Sequence, residues 1–373
     1  MAARLLSSIA LITAMAGTLG ACSLIMPDPV EQAQESFAAQ DYIAARTDAL
    51  RALQQDENDA AALELLARVH LAMGQGGDAL MALERLQNAG VRLADANLIE
   101  AEALLQMGDH ELALELLAGE DSAESWRLRA LAANLAGDTE TAEAAFANGH
   151  EAEGDKRKLF TAEASHHLIQ GNAEAARLAV GEAQRLSPDT IETLLISARL
   201  AQLDGEPELA SRAYLAILDV APTDRPALLG AIRELDSLGR IDLLRELIQR
   251  GRAAYPADVE FVYLTASLHG YDGNWAAARD LLQEYESQIA GHDDARGLYG
   301  QALLELGQLE LARAQLAPLN RRYPDNPAYA RIFARILIEL DEKRQARAVM
   351  RPIAARADAQ DIDRELMQLA AET

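Results

Sequence analysis

The chain has 373 residues, half of them apolar but only 4% aromatic, with 59 acidic against 34 basic side chains and a formal charge of −25. That charge argues against nucleic acid as a partner, since a phosphate backbone is held by basic surface. The single cysteine leaves nothing for disulfides or a thiolate metal centre, and a chain rich in alanine and leucine with no long low-complexity stretch fits helices with thin, repeated cores.

In chain order, a targeting segment comes first. Arg4 supplies a positive charge, and Leu5 to Thr18 is largely apolar but too short for a comfortable membrane span. Leu19-Gly20-Ala21 provides the cleavage site, and Cys22 follows at once. Leu19-Gly20-Ala21-Cys22 resembles the bacterial lipobox. The resemblance implies that residues 1–21 are a lipoprotein signal peptide, and that Cys22 is acylated and becomes the first residue of the mature chain. The acyl chains would then anchor the protein to a membrane. Ser23 in place of aspartate implies sorting to the outer membrane, facing the periplasm. Residues 22–29 read as an acylated tether, kept extended by Pro27 and Pro29.

Beyond the tether a single period governs. Glycine recurs at 74, 108, 137, 171, 205, 239, 273 and 307, every step being 34 residues except the 29 from Gly108 to Gly137. Five residues after each comes Ala79, Ala113, Ala142, Ala176, Ala210, Leu244, Ala278 or Ala312. The frame extends to Gln40 with Ala45 and to Asp341 with Ala346. With the glycine at position 15 of each unit, position 8 of units two to ten reads Ala67, Ala101, Ala130, Ala164, Ala198, Ile232, Ala266, Gly300 and Ala334. Two antiparallel helices joined by a short turn must approach closely at one crossing, which keeps positions 8 and 20 small. The turn needs a residue tolerant of positive φ, hence glycine. Large residues at position 24 (Leu83, Phe146, Tyr214, Leu282) and prolines at position 32 (Pro188, Pro222, Pro256, Pro324) complete the pattern.

This 34-residue pattern resembles the tetratricopeptide repeat over roughly residues 26 to 360. The resemblance implies an all-α fold, a right-handed α-solenoid of about ten helix pairs. Unit one is expected near Val30 to Ala39 and Tyr42 to Gln54, and later units begin at 60, 94, 123, 157, 191, 225, 259, 293 and 327. Unit three loses more than a turn of its second helix at Ala118-Gly119-Glu120-Asp121, so residues 30–122 and 123–360 read as two subarrays. Residues 361–373, with Ile362, Leu366 and Leu369 on one stripe, read as a capping helix. Unit seven carries Ile232 and Leu244 at both small positions. Its helices are expected to stand further apart, with Ala231 and Gly251 as compensation.

No motif carries enzyme chemistry. Trp126, at a position where the family prefers tryptophan, reads as packing, and His70, His167 and His269 all fall at position 11, where the family commonly carries tyrosine. His166 and His167 are neighbours pointing about 100° apart on a helix, so they are not expected to grip one metal together. The acidic loop from Gly149 to Asp155 lacks the spacing of a known calcium loop. No metal site, catalytic residue or cofactor is therefore expected.

The resemblance places positions 2, 5, 9, 12 and 13 in the concave groove. Position 9 supplies Arg68, Arg199, Arg233 and Arg335, and position 5 supplies Arg127, Tyr263 and Arg331. On one reading Arg199, Arg233, Tyr263, Arg331 and Arg335 hold an acidic segment or C-terminal carboxylate of a partner, since the arginine fork can bind a carboxylate through two hydrogen bonds. On the other, these arginines pair with Glu192, Asp236, Glu260 and Asp294 and knit adjacent units. The resemblance implies a non-enzymatic scaffold or adaptor lipoprotein that binds proteins during envelope assembly. Flp or type IV pilus biogenesis, regulation of peptidoglycan hydrolases and exopolysaccharide export are the alternatives. Sugar binding would need aromatic platforms, and only Tyr263 and Tyr271 come to hand.

Overall fold

The computed structural model describes residues 28–371. The signal segment, Cys22, Ser23 and most of the tether lie outside the described residues. The chain divides into two compact bodies, one ending at Asp109 and the other starting at His110. Among the described residues the regular elements are helices, with one isolated bridge between Ser122 and Glu153. None of these helices is long and apolar enough to cross a membrane.

The first body holds α1 (Pro29–Ala38), α2 (Tyr42–Gln55), α3 (Ala60–Ala72), α4 (Gly76–Asn88) and α5 (Ala96–Met107). The second begins with α6 (His110–Leu116), then pairs α7 (Ala123–Ala136) with α8 (Thr139–Glu151), α9 (Arg157–Ile169) with α10 (Ala173–Leu186), and α11 (Ile191–Leu203) with α12 (Pro207–Val220). There follow α13 (Arg225–Ser237) and α14 (Ile241–Ala254), then α15 (Val259–Tyr271) with α16 (Trp275–Glu284) and its short continuation α17 (Glu286–Ile289). The last pairs are α18 (Asp293–Glu305) with α19 (Leu309–Arg322) and α20 (Pro327–Glu339) with α21 (Lys343–Ala354), closed by α22 (Asp361–Leu369).

The helix starts and stops follow local chemistry. Asp59 accepts a hydrogen bond from the Ala62 amide at 3.0 Å, and Asp224 accepts one from Ala227 at 2.8 Å, satisfying donors that the first turn leaves orphaned. At the other end the eight glycines of the frame all have φ between 64° and 88°. Gly205 donates to the Gln202 carbonyl at 3.1 Å and Glu206 to Ala201 at 2.8 Å, the bonding of a helix closed by a left-handed residue. Gln40 and Asp341, which hold the same place in the first and last units, are the two non-glycine residues with positive φ among the described residues, at 60° and 59°. The turn imposes its conformation whether or not glycine is present to accept it cheaply.

The small-residue crossing is as the spacing predicts. Ala45, Ala79, Ala113, Ala142, Ala176, Ala210, Ala278, Ala312 and Ala346 are fully buried, and so are Ala67, Ala101, Ala130, Ala164, Ala198, Ala266 and Ala334. The apolar clusters are correspondingly separate, one around Leu63, Leu66 and Leu83, another around Phe146 and Leu159, and others further along the second body. Unit three has its shortened second helix: α6 is 7 residues long where α8 has 13. The 119–122 loop, read from sequence as a boundary, lies inside the second body, because α6 packs on α7.

In unit seven Ile232 and Leu244 are both buried. Gly251 serves a different purpose from the expected compensation. A Cβ there would meet the Phe261 ring at 2.1 Å, and one at Gly230 would meet the Tyr214 ring at 2.4 Å. Each glycine is the seat of an aromatic ring from the adjoining unit.

A methyl group at either seat must displace a packed ring, so Gly251→Ala is expected to destabilise by about 1–3 kcal/mol. Gly181, in an exposed turn of α10, has nothing near its missing Cβ. There Gly→Ala should stabilise by about 0.5–1 kcal/mol through helix propensity. Urea denaturation of both variants checks the contrast.

Candidate functional site

Within the second body the first helices of successive units lie side by side, α7 against α9 and α9 against α11, then α15 against α18, α18 against α20, and α20 against α22. Beside α13 an open hollow of about 390 Å³ is lined by Gln202, Gly205, Glu206, Pro207, Arg233 and Glu234.

The floor of the hollow is a polar chain. Tyr214 donates from its hydroxyl to Gln202 Oε1 at 3.2 Å, Gln202 Nε2 donates to Glu234 Oε1 at 2.6 Å, and Arg233 Nε donates to the same oxygen at 3.2 Å. Glu234 is 8% exposed, so its carboxylate has these donors in place of most of its water. Burial pushes the Tyr214 hydroxyl above its ordinary pKa, while the positive charges of Arg233 and Arg199 act the other way.

The five candidate groove residues have separate fates. Arg331 grips Asp363 through two hydrogen bonds of 2.7 and 2.9 Å, and Asp363, 1% exposed, also accepts from the Gln360 amide at 2.8 Å. Arg331 therefore fastens the capping helix α22 to the last pair. Arg335 pairs with Glu305 at 2.9 Å. Tyr263 is half-buried, its ring 5.4 Å from that of His292, and burial followed by the charge of Asp294 raises its hydroxyl pKa. Arg233 meets the carboxylate of its chain neighbour Glu234. Arg199 is exposed on α11 and has no carboxylate partner among the described residues.

Pairing does occur at three of these arginines, but with other acids than expected. Of the four carboxylates expected to knit the units, Glu260 meets His292 at 3.0 Å and Asp294 accepts from the Tyr329 hydroxyl at 2.9 Å. The acidic loop is tied by bases from its own far end: Lys156 donates to the His150 carbonyl, and Arg157 pairs with Asp155. Trp126 packs beside the Phe146 cluster, its indole donating to Asp121 at 2.7 Å with the Arg129 guanidinium 4.4 Å above the ring.

His166 and His167, read from sequence as pointing apart, have ring centroids 5.1 Å apart, edge to face. Neighbouring side chains on a helix can bring ring nitrogens together where one presents Nε2 and the other Nδ1.

The family profile of the tetratricopeptide repeat matches residues 271–336, which covers the turn after α15 through most of α20. No curated protein matches the chain. Among solved structures, a thermophilic tetratricopeptide protein of Thermus thermophilus is similar at 25% identity and TM-score 0.40, over 47% of this chain and 96% of that one. The Cut9–Hcn1 hetero-tetramer of the APC/C is similar at 12% identity and TM-score 0.49, over 92% and 96%. PilW, a type IV pilus biogenesis factor, is similar at 16% identity and TM-score 0.37, over 56% and 96%.

The bond from Arg331 holds the Asp363 carboxyl below the usual carboxylate range. A depressed folded pKa gives stability that is present above the unfolded value, about 3.9, and lost as pH falls through the folded one. Amide exchange in α22 is expected to accelerate selectively below about pH 4. Asp363→Asn should speed it at neutral pH by the equivalent of about 1–3 kcal/mol and flatten its acid dependence.

Proposed function

We propose that this array of tetratricopeptide-type repeats is a non-enzymatic scaffold that holds protein partners, and that Arg199 and Arg233 receive an acidic segment or a C-terminal carboxylate. The observation that carries this reading is Arg199. In a chain with a net charge of −25, Arg199 is exposed and has no carboxylate partner among the described residues. Arg68 takes Glu64 and Asp95, Arg331 takes Asp363 and Arg335 takes Glu305, while Arg199 stands bare near Tyr214, with Arg233 acting on the same hydroxyl. A guanidinium pair can hold a carboxylate by forked hydrogen bonds, which gives direction as well as attraction. Arg233 also lines the open, polar hollow beside α13, a recess that the end of such a segment can enter. Arg331, occupied by Asp363, supports the cap and is left out of the recognition set.

The finer reading is an envelope lipoprotein anchored through Cys22, oriented to the periplasm from the outer membrane, and working in assembly of a surface structure. What supports it is the lipobox-like Leu19-Gly20-Ala21-Cys22 with Ser23 ahead of a repeat array. Pilus biogenesis is the favoured setting; a hydrolase adaptor or an exopolysaccharide exporter are the alternatives. Identification of proteins crosslinked to the chain in its native envelope separates them: pilus secretion components support the first, and a peptidoglycan hydrolase overturns it.

Two outcomes are expected. A glutamate-rich peptide with a free C-terminus should bind with an affinity that falls at least tenfold on Arg199→Gln with Arg233→Gln, measured by fluorescence anisotropy, and that weakens with salt. Equal binding by the double variant contradicts the recognition pair. Cys22→Ala should shift the protein from the membrane to the soluble fraction on cell fractionation.

A further inference from the structure

At the joint between units four and five, three metal-ligating side chains meet outside the surface discussed above. Glu143 comes from α8, and His166 and His167 from α9; one ligand atom from each lies within 4.8 Å of the others. His166 is 2% exposed, and its Nε2 is buried with no hydrogen-bond partner, as is Nδ1 of His167. Leaving a buried polar atom unpaired costs about 1–3 kcal/mol, and here two such atoms stand beside one carboxylate. An orphaned pair of this kind needs a reason.

The surroundings set both rings in the state a metal requires. Nδ1 of His166 is 2.6 Å from Asn134 Oδ1, so the ring donates its proton there and Nε2 keeps its lone pair. His167 has the Glu163 carboxylate on its far side, Nε2 to Oε1 3.9 Å, while its Nδ1 faces inward without a hydrogen-bond partner. Glu163 is itself held by His150 at 2.7 Å. Oxygen acceptors that fix the far nitrogen of a histidine are the usual support of metal-binding imidazoles.

We propose that Glu143 together with His166 Nε2 and His167 Nδ1 forms a binding site for a divalent transition-metal ion of the zinc type. Two imidazole nitrogens and one carboxylate suit zinc and its neighbours better than magnesium or calcium, which prefer all-oxygen shells. Atoms each about 2.0–2.2 Å from one ion can be at most about 4.4 Å apart. With all three atoms within 4.8 Å of one another, a closure of at most a few tenths of an ångström is enough, within reach of the exposed Glu143 side chain. Bound there, the ion fastens α8 to α9, and so one repeat to the next, and keeps a further coordination position for water or a partner's side chain.

The test is calorimetric titration of the metal-free full chain with Zn²⁺, with Co²⁺ absorption as the spectroscopic signature. One equivalent of Zn²⁺ is expected to bind and raise the melting temperature. Affinity should fall at least tenfold in Glu143→Gln, which alters only an exposed side chain, and in His167→Gln, and should be unchanged in His269→Gln. No stoichiometric binding, or binding that survives Glu143→Gln and His167→Gln undiminished, overturns the proposal.

Discussion

Everything in this protein depends on how closely two helices can cross. Alanine at positions 8 and 20 lets the backbones of a pair approach until no solvent reaches either side chain. Each such residue buries little apolar area, about 0.8 kcal/mol per methylene-sized group, so no single pair holds a core worth the entropy of ordering it. Stability has to be collected between units, by the larger residues that each pair offers to the next. The separate clusters around Leu63, Phe146 and Leu316 are the physical form of that arrangement, and the buried Asp363 under Arg331 ties α22 to the preceding pair with a charge pair.

The same constraint explains where the array is unlike itself. In unit seven Ile232 and Leu244 take the two small positions and are buried there, and aromatic rings sit at its borders. Tyr214 rests on Gly230 and Phe261 on Gly251, two knobs whose holes are made by removing a side chain. Beside α13 the surface has a polar hollow, with Glu234 among its lining residues.

Much of this is written in the chain. The period fixes where helices begin, down to α7, α9, α11, α13, α15, α18 and α20 starting at the unit boundaries expected for them, and it identifies the left-handed turns even at Gln40 and Asp341. The short α6 follows from one missing turn. What the period does not encode is which partner a long side chain selects. Arg331 could reach several acids, and only the placement of α22 decides for Asp363. The convergence of His166 and His167 was hidden for a related reason: helical spacing gives the direction of a Cβ but not which ring nitrogen is presented. The division after Asp109 likewise depends on the side to which the short α6 turns, a matter of contacts with α7 that no local signal carries.

The central claim is that the small-residue crossing is the structural unit. Native-state hydrogen exchange of an Ala164→Leu variant tests it most directly, since Ala164 is fully buried at position 8 of unit five. The account predicts protection falling by the equivalent of about 1–3 kcal/mol in α9, α10 and the helices packed on them, with α20 to α22 unchanged. Protection left intact in α9 and α10, or lost evenly along the chain, would contradict it.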